Sequence, residues 1–136
     1  MKALPKSVCG VILLTDHVER LAAFYRETLE LPLEREDHGN LPVHYGLDLG
    51  TTQLGIHPPQ SFGRSAARPG GCVIALEVDN LDERLGELAR RGIRPILDKR
   101  DEGFGPVACI EDPDGNLIEL VELRYDFEGP VEEEQE

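Results

Sequence analysis

The chain has 136 residues, of which 40% are hydrophobic and 30% are charged. This length and composition predict one globular domain with its own core and exclude a disordered chain. Acidic residues outnumber basic residues by 27 to 14, which gives a net charge of −13. Because this charge repels phosphate backbones, we expect no nucleic-acid partner.

The cysteines and the N-terminus bear on the cellular compartment. Cys9, Cys72 and Cys109 form no paired short spacing, which argues against disulfides or a zinc finger and is typical of a reducing cytosol. Residues 1–6 lack the apolar stretch of a signal peptide, and the apolar run at 11–14 is too short to cross a bilayer. We therefore expect a cytoplasmic protein without a membrane partner.

Two stretches of the sequence resemble each other. Residues 9–16 and 72–79 each form an apolar run that ends at an aspartate, Asp16 or Asp79. We expect each aspartate to cap a following helix, because a short carboxylate accepts hydrogen bonds from first-turn amides. The helical apolar stripes that follow consist of Val18, Leu21, Ala22, Tyr25 and Leu29 in the first repeat, and Leu81, Leu85 and Leu88 in the second.

After each helix the sequence predicts three strands separated by turn signals. They lie at about 31–37, 42–49 and 52–57 in the first repeat, and at about 93–100, 106–111 and 116–124 in the second. The predicted class is therefore α+β, with βαβββ modules at about 7–57 and 72–124. Residues 58–71 are predicted to be a linker and residues 125–136 an acidic tail. A cleft between the modules is the expected ligand site.

Three motifs strengthen the argument from the repeat. They are DHVERLAAFYR at 16–26, EVDNLD at 77–82 and DPDGNLIEL at 112–120. With the repeat, they resemble the vicinal oxygen chelate superfamily, which includes glyoxalase I, extradiol dioxygenases, fosfomycin resistance proteins and bleomycin resistance proteins. The resemblance implies that residues 1–136 are a single glyoxalase-like domain whose two modules form a cup-shaped mixed sheet around a cleft.

The resemblance also implies a place for a metal ion. Metal-using members bind one divalent ion through the first and last strands of each module, and the ion chelates two adjacent substrate oxygens. Those positions fall here on Cys9 (or on Gly10 if the register slips), Gly55, Val73 and Glu119. Glu119 is the expected carboxylate and is the candidate catalytic residue. The other three positions depart from the family pattern, so the site is incomplete.

Two histidines offer a partial substitute. A hairpin turning at Gly50-Thr51 places His44 directly opposite His57, and such cross-strand partners lie close together. His44, His57 and Glu119 then form a candidate site for Zn, Ni, Mn or Fe. The same histidines also suit the polar lining of a wet pocket. In that case Glu119 is a lone charge in the cleft or an anchor for a cationic ligand.

Two aromatic residues lie in predicted loops, and the role of each side chain has two interpretations. Phe104, between two glycines, is either a buried anchor of a β-turn or part of a flap that packs on a ligand. Phe62, in the linker, is likewise a candidate to pack on a ligand at the cavity mouth. The residues predicted to bind ligand are Cys9, His44, His57, Val73, Phe104 and Glu119. Together with Gly55, all of these except Phe104 are predicted to line one cavity.

Function remains open between two main classes. The first is a protein similar to bleomycin resistance proteins, which lack the metal quartet and sequester a cationic drug in an acidic cleft between subunits. The missing ligands and the acidic charge favour it. The alternative is a metal-dependent lyase, isomerase or dioxygenase that uses His44, His57 and Glu119. A third possibility is a subunit or regulatory domain that uses the fold only as a scaffold. The family also implies a homodimer.

Overall fold

The structure is a computed structural model and describes residues 3–37 and 40–125, so the predicted tail after residue 125 lies outside the described residues. The chain divides into two compact units, Met1–Pro69 and Gly70–Glu136. Each unit is a βαβββ module, and this prediction is confirmed. Among the described residues, no helix has the length and hydropathy needed to cross a membrane.

The first module is a four-stranded mixed sheet covered by one helix. Its elements are β1 (Gly10–Leu14), α1 (Val18–Ala23) with a π-helical turn (Phe24–Thr28), β2 (Glu34–Glu36), β3 (His44–Asp48) and β4 (Gln53–His57). The strand order is β1-β4-β3-β2, with β1 and β4 parallel and the other pairs antiparallel. The predicted apolar stripe forms the core: Leu21 and Tyr25 are fully buried, as is Ile56 on the sheet.

The second module repeats this arrangement. Its elements are β5 (Val73–Glu77), α2 (Leu81–Arg90), β6 (Leu97–Asp101), β7 (Pro106–Glu111) and β8 (Leu117–Val121), and its strand order is β5-β8-β7-β6. Leu81 and Leu88 of α2 are buried, together with Ile110 and Ile118 on the sheet. The apolar residues of each sheet alternate with residues on the opposite face, which is called the open face here.

The two helices begin one residue later than predicted. The prediction that Asp16 and Asp79 cap the helices is wrong, because the N-cap residues are His17 and Asn80. The Asn80 side-chain oxygen accepts a hydrogen bond from the backbone amide of Glu83 at 2.9 Å. Aspartate and asparagine are about equally good caps, so sequence preference alone does not decide between neighbouring positions.

The DPDGN turn before β8 is organised by a buried carboxylate. Asp112 accepts hydrogen bonds from the backbone amides of Asp114 and Asn116 at 2.9 Å each, and from the Asn116 side-chain amide at 2.8 Å. The Asn116 side-chain oxygen accepts a further bond from the amide of Gly70 at 2.7 Å. These bonds fix the start of β8 and with it the position of Glu119.

Matching rows of residues cross the open faces of the two sheets. In the first module the middle row reads, across β1, β4, β3 and β2, Ile12, Gly55, Gly46 and Glu34. In the second module the corresponding row reads, across β5, β8, β7 and β6, Ala75, Glu119, Cys109 and Leu97. Gly55 and Glu119 therefore occupy equivalent positions in the last strand of their modules.

Candidate functional site

A cavity of about 600 Å³ lies on the open face of the first module. All four strands of that sheet contribute to its lining, which includes Ile12, Glu34, Glu36, His44, Gly55 and His57. Strand alternation explains this set, because residues two positions apart share one face of a sheet. The cavity is therefore built from a single module.

The two predicted histidines meet across the hairpin of β3 and β4. Their ring centroids are 4.1 Å apart and their planes are inclined by only 14°, so the rings are stacked. Tyr45 pairs with Ile56, and Gly46 with Gly55, which is the register that places His44 opposite His57. The predicted hairpin register is confirmed.

His44 is the buried member of the pair and is held by oxygen atoms. Its Nδ1 lies 2.9 Å from the carbonyl oxygen of Pro42, and its Nε2 lies 2.9 Å from Oε1 of Glu36. A carbonyl and an ionised carboxylate can only accept hydrogen bonds. Nδ1 therefore faces an acceptor at the Pro42 carbonyl, and Nε2 forms a close imidazole–carboxylate contact with Glu36.

His57 is the more exposed member of the pair. Its Nδ1 lies 3.0 Å from the Ser61 hydroxyl, and the Phe62 ring meets its ring edge to face at 5.5 Å. Burial lowers the pKa of His57, the charge of His44 lowers it further, and Glu36 opposes the shift. His57 is therefore a neutral imidazole near pH 7.

At Gly46 and Gly55, polar side-chain atoms lie over the middle row of the sheet. A Cβ atom on Gly55 would lie 3.4 Å from Cδ2 and 3.6 Å from Nε2 of His57. A Cβ atom on Gly46 would lie only 3.1 Å from Oε2 of Glu36. Since Gly46 and Gly55 are direct cross-strand partners, an imidazole nitrogen and a carboxylate oxygen face the same pair of bare residues.

The donor set of the first module does not fit the family metal site. Gly10 and Gly55 have no side chain, and both ring nitrogens of His44 are held by oxygens. Cys9 precedes β1 and is exposed, and the adjacent Gly10 lines the cavity. Among the described residues, no group of three or more His, Cys, Asp or Glu side chains is placed to hold a metal ion.

The second module holds the predicted carboxylate. Glu119 pairs with Ala75 on β5 and with Cys109 on β7, and all three share the open face. Burial raises the pKa of the Cys109 thiol, and the charge of Glu119 raises it further. Val73 lies on the same face and is exposed. The convergence of this module's residues with the two histidines stays a prediction.

The loop that bears Phe104 is held at its backbone. The Phe104 carbonyl accepts a hydrogen bond from the amide of Arg124 at 2.8 Å, and the Glu122 amide donates to the carbonyl of Pro106 at 3.0 Å. The Phe104 side chain itself is 39% exposed, so it is not the buried anchor that one interpretation of the sequence expected. Its contact with a ligand stays a prediction.

Glu36 and Ser61 were not identified from the sequence as site residues. Glu36 lies in a predicted strand, but a long connection separates that strand from β3, so the sequence did not fix which residue faces His44. Ser61 follows His57 by four positions and lies in a short 3₁₀ helix, Pro59–Phe62, within the segment predicted to be a linker. No spacing rule predicts this contact, because His57 ends β4 and Ser61 lies in the short helix that follows.

A family model described as Glyoxalase/Bleomycin resistance protein/Dioxygenase superfamily matches residues 9–120 of the chain. A comparison with curated proteins gives no match.

Solved structures share the fold over most of the chain. TnmS3, an antibiotic binding protein from Streptomyces sp. CB03234, is 23% identical and has a TM-score of 0.72, and the match covers 91% of this chain and 100% of TnmS3. Lactoylglutathione lyase from Agrobacterium tumefaciens is 21% identical with a TM-score of 0.65, covering 87% and 94%. A glyoxalase/bleomycin resistance protein from Streptomyces sp. CB03234 is 24% identical with a TM-score of 0.68, covering 85% and 100%. At these identities the similarity shows the fold alone.

Proposed function

Since the chain belongs to the Glyoxalase/Bleomycin resistance protein/Dioxygenase superfamily, we propose that it binds a small cationic molecule in the cavity of its first module. The observation that supports this proposal most directly is the composition of the cavity lining. Glu34, Glu36 and Asp48 place three carboxyl groups around it, and no lysine or arginine is among the described lining residues. Such a site favours positive charge.

Two further observations support binding. The cavity volume of about 600 Å³ falls in the range of small-molecule sites, roughly 300–1,000 Å³. TnmS3, which shares the fold, is described as an antibiotic binding protein. We propose that Glu119 adds a fourth carboxylate to the ligand site, and that Cys9, Val73 and Phe104 contribute to it as well.

The alternative is a metal-dependent lyase, isomerase or dioxygenase that uses His44, His57 and Glu119. One observation favours it: Nε2 of His57 lies beside Gly55, on the cavity side of the ring. The fold similarity to a lactoylglutathione lyase agrees with it. The absence of side chains at Gly10 and Gly55 argues against a family-type metal quartet in this chain.

Calorimetry distinguishes the two functions. Benzylamine, a small cation near neutral pH, should bind the wild type, and its affinity should fall as salt is added, because exposed charges are screened. Glu34→Gln should weaken it, whereas Glu111→Gln, an exposed carboxylate of the second module, should not. Titrations with Ni²⁺, Zn²⁺ and Mn²⁺ form the second arm. Tight stoichiometric metal binding that is lost in His57→Ala would overturn the proposal in favour of the enzyme.

A further inference from the structure

The open face of the first module differs in chemistry between its two edges. Ile12 of β1 and Glu34 of β2 stand at opposite ends of the middle row, and both line the cavity. Neighbouring strands lie about 4.8 Å apart, so the strand spacings between these ends add up to roughly 14 Å. The glycines between them are covered by neighbouring side-chain atoms. A ligand that spans the row therefore rests on this side-chain layer.

The β1 end of the row is apolar. β1 carries no charged side chain, and Ile12 is 46% exposed although it lines the cavity. Its Cγ1 atom lies 3.4 Å from the position of a Cβ on Gly55, so the side chain extends over β4. Leu41, in the connection before β3, is a second lining residue that is 46% exposed. These side chains offer aliphatic surface that a ligand would remove from water.

The β2 end of the row is acidic. Glu34 is exposed and lines the cavity, and Asp48 of β3 lines it as well. Glu36 also lies on β2, but its Oε1 is already in contact with Nε2 of His44. Oδ1 of Asp48 accepts a hydrogen bond from the amide of Gly50 at 2.8 Å. Glu34 is therefore the carboxylate best placed to meet the charge of a ligand at this end.

The two ends select for the position of charge within a ligand. A cation with its charge at one end and an apolar group at the other matches both ends of the row. A dication of the same length places its second ammonium group beside Ile12, where the group loses hydration without gaining a counter-charge. A neutral molecule of that length leaves Glu34 without a cation.

We propose that the ligand of this cavity is an amphipathic cation, with its charge at Glu34 and its apolar group on Ile12. This inference rests on the proposed function, because it names the ligand class of the same cavity. It assigns a specificity role to Ile12, which disfavours a second charge at the β1 end of the row.

Three rigid probes of similar length test the proposal: 4-ethylbenzylamine, 1,4-bis(aminomethyl)benzene and 4-ethylbenzyl alcohol. The first two differ by the exchange of a methyl group for an ammonium group, and the ring prevents either from folding back on itself. Calorimetry on the full chain at neutral pH should show the monocation binding at least about fivefold more tightly than the dication. The alcohol should bind more weakly than the monocation, because it lacks the charge that Glu34 attracts.

Two variants test the role of Ile12, which is half exposed on an edge strand. Ile12→Thr keeps the branched shape but loses aliphatic surface, so it should weaken 4-ethylbenzylamine by about threefold or more and leave the dication within about twofold. Ile12→Glu supplies a carboxylate at the β1 end and should make the dication the tighter ligand. Ile96→Thr and Ile96→Glu are the matched controls, at an isoleucine of the second module that is 53% exposed.

The outcomes separate this inference from the proposed function. A dication that binds the wild type as tightly as the monocation would overturn the amphipathic class and leave cation binding intact. An unchanged order of affinities in both Ile12 variants would overturn the role of Ile12. Equal affinities for the monocation and the alcohol would overturn both proposals, since charge would then contribute nothing. Failure of all three probes to bind would also overturn both.

Discussion

His57 links the structure of the cavity to pH. Burial and the adjacent His44 lower its pKa in the folded protein, whereas an unfolded chain has a histidine pKa near about 6.5. Between these two pKa values the unfolded state binds more protons, so the free energy of unfolding falls as pH is lowered through that window. We expect His57→Gln to remove this part of the pH dependence. Urea unfolding of both proteins between about pH 5 and pH 8 measures it, and parallel pH profiles would contradict it.

Gly105 provides a second test at the level of single residues. Its φ is +148°, and a Cβ there would lie 2.0 Å from the backbone oxygen of Glu122. Gly105→Ala should therefore lower the free energy of unfolding by more than about 2 kcal/mol, because backbone has to move. Gly103→Ala is the control, because Gly103 has a φ of +92° and open space around its Cβ position. Only the unfavourable left-handed backbone conformation should then lower the free energy of unfolding, by about 1–2 kcal/mol. Equal losses of unfolding free energy for the two variants would show that the backbone at Glu122 moves away without a measurable cost.

Among the elements, the β7–β8 turn depends on one side chain. Asp112→Ala removes the acceptor for three hydrogen bonds in a buried turn. Each unsatisfied buried donor costs about 1–3 kcal/mol, so we expect a loss of at least about 2 kcal/mol in chemical denaturation. Glu111→Ala, an exposed neighbour, should change stability by less than about 0.5 kcal/mol. A loss for Asp112→Ala as small as that for the control would show that water replaces the carboxylate.

The elements also show why sequence reasoning succeeded in part. Helical stripes and alternating strands predicted both βαβββ modules, because burial of one face imposes those periods. The β3–β4 register was predictable since a short turn at Gly50-Thr51 leaves few alternatives. The partner of His44 was missed because the longer connection before β3 leaves its register with β2 undetermined. The exposed position of Cys9 depends on where β1 begins, which is the least reliable part of such a prediction.

At the scale of the whole molecule, the sheet edges lead us to expect assembly. Each four-stranded sheet ends in two edge strands, β1 and β2 in the first module and β5 and β6 in the second. Exposed edges present unpaired backbone groups that proteins normally cover. We therefore expect a two-fold homodimer. Sedimentation at micromolar concentration should give twice the chain mass of 15.1 kDa, and a monomer there would contradict this expectation.

The matching rows of the two modules have an evolutionary consequence. An internal repeat gives a protein two copies of each structural position, and the two copies can carry different side chains. At the equivalent positions of the last strands, one module has Glu119 and the other has Gly55. The neighbouring positions have diverged in the same direction, Cys109 in one copy and Gly46 in the other. In the first module the two positions without side chains lie in the lining of the cavity, so the difference between the two repeats coincides with the space that the cavity occupies.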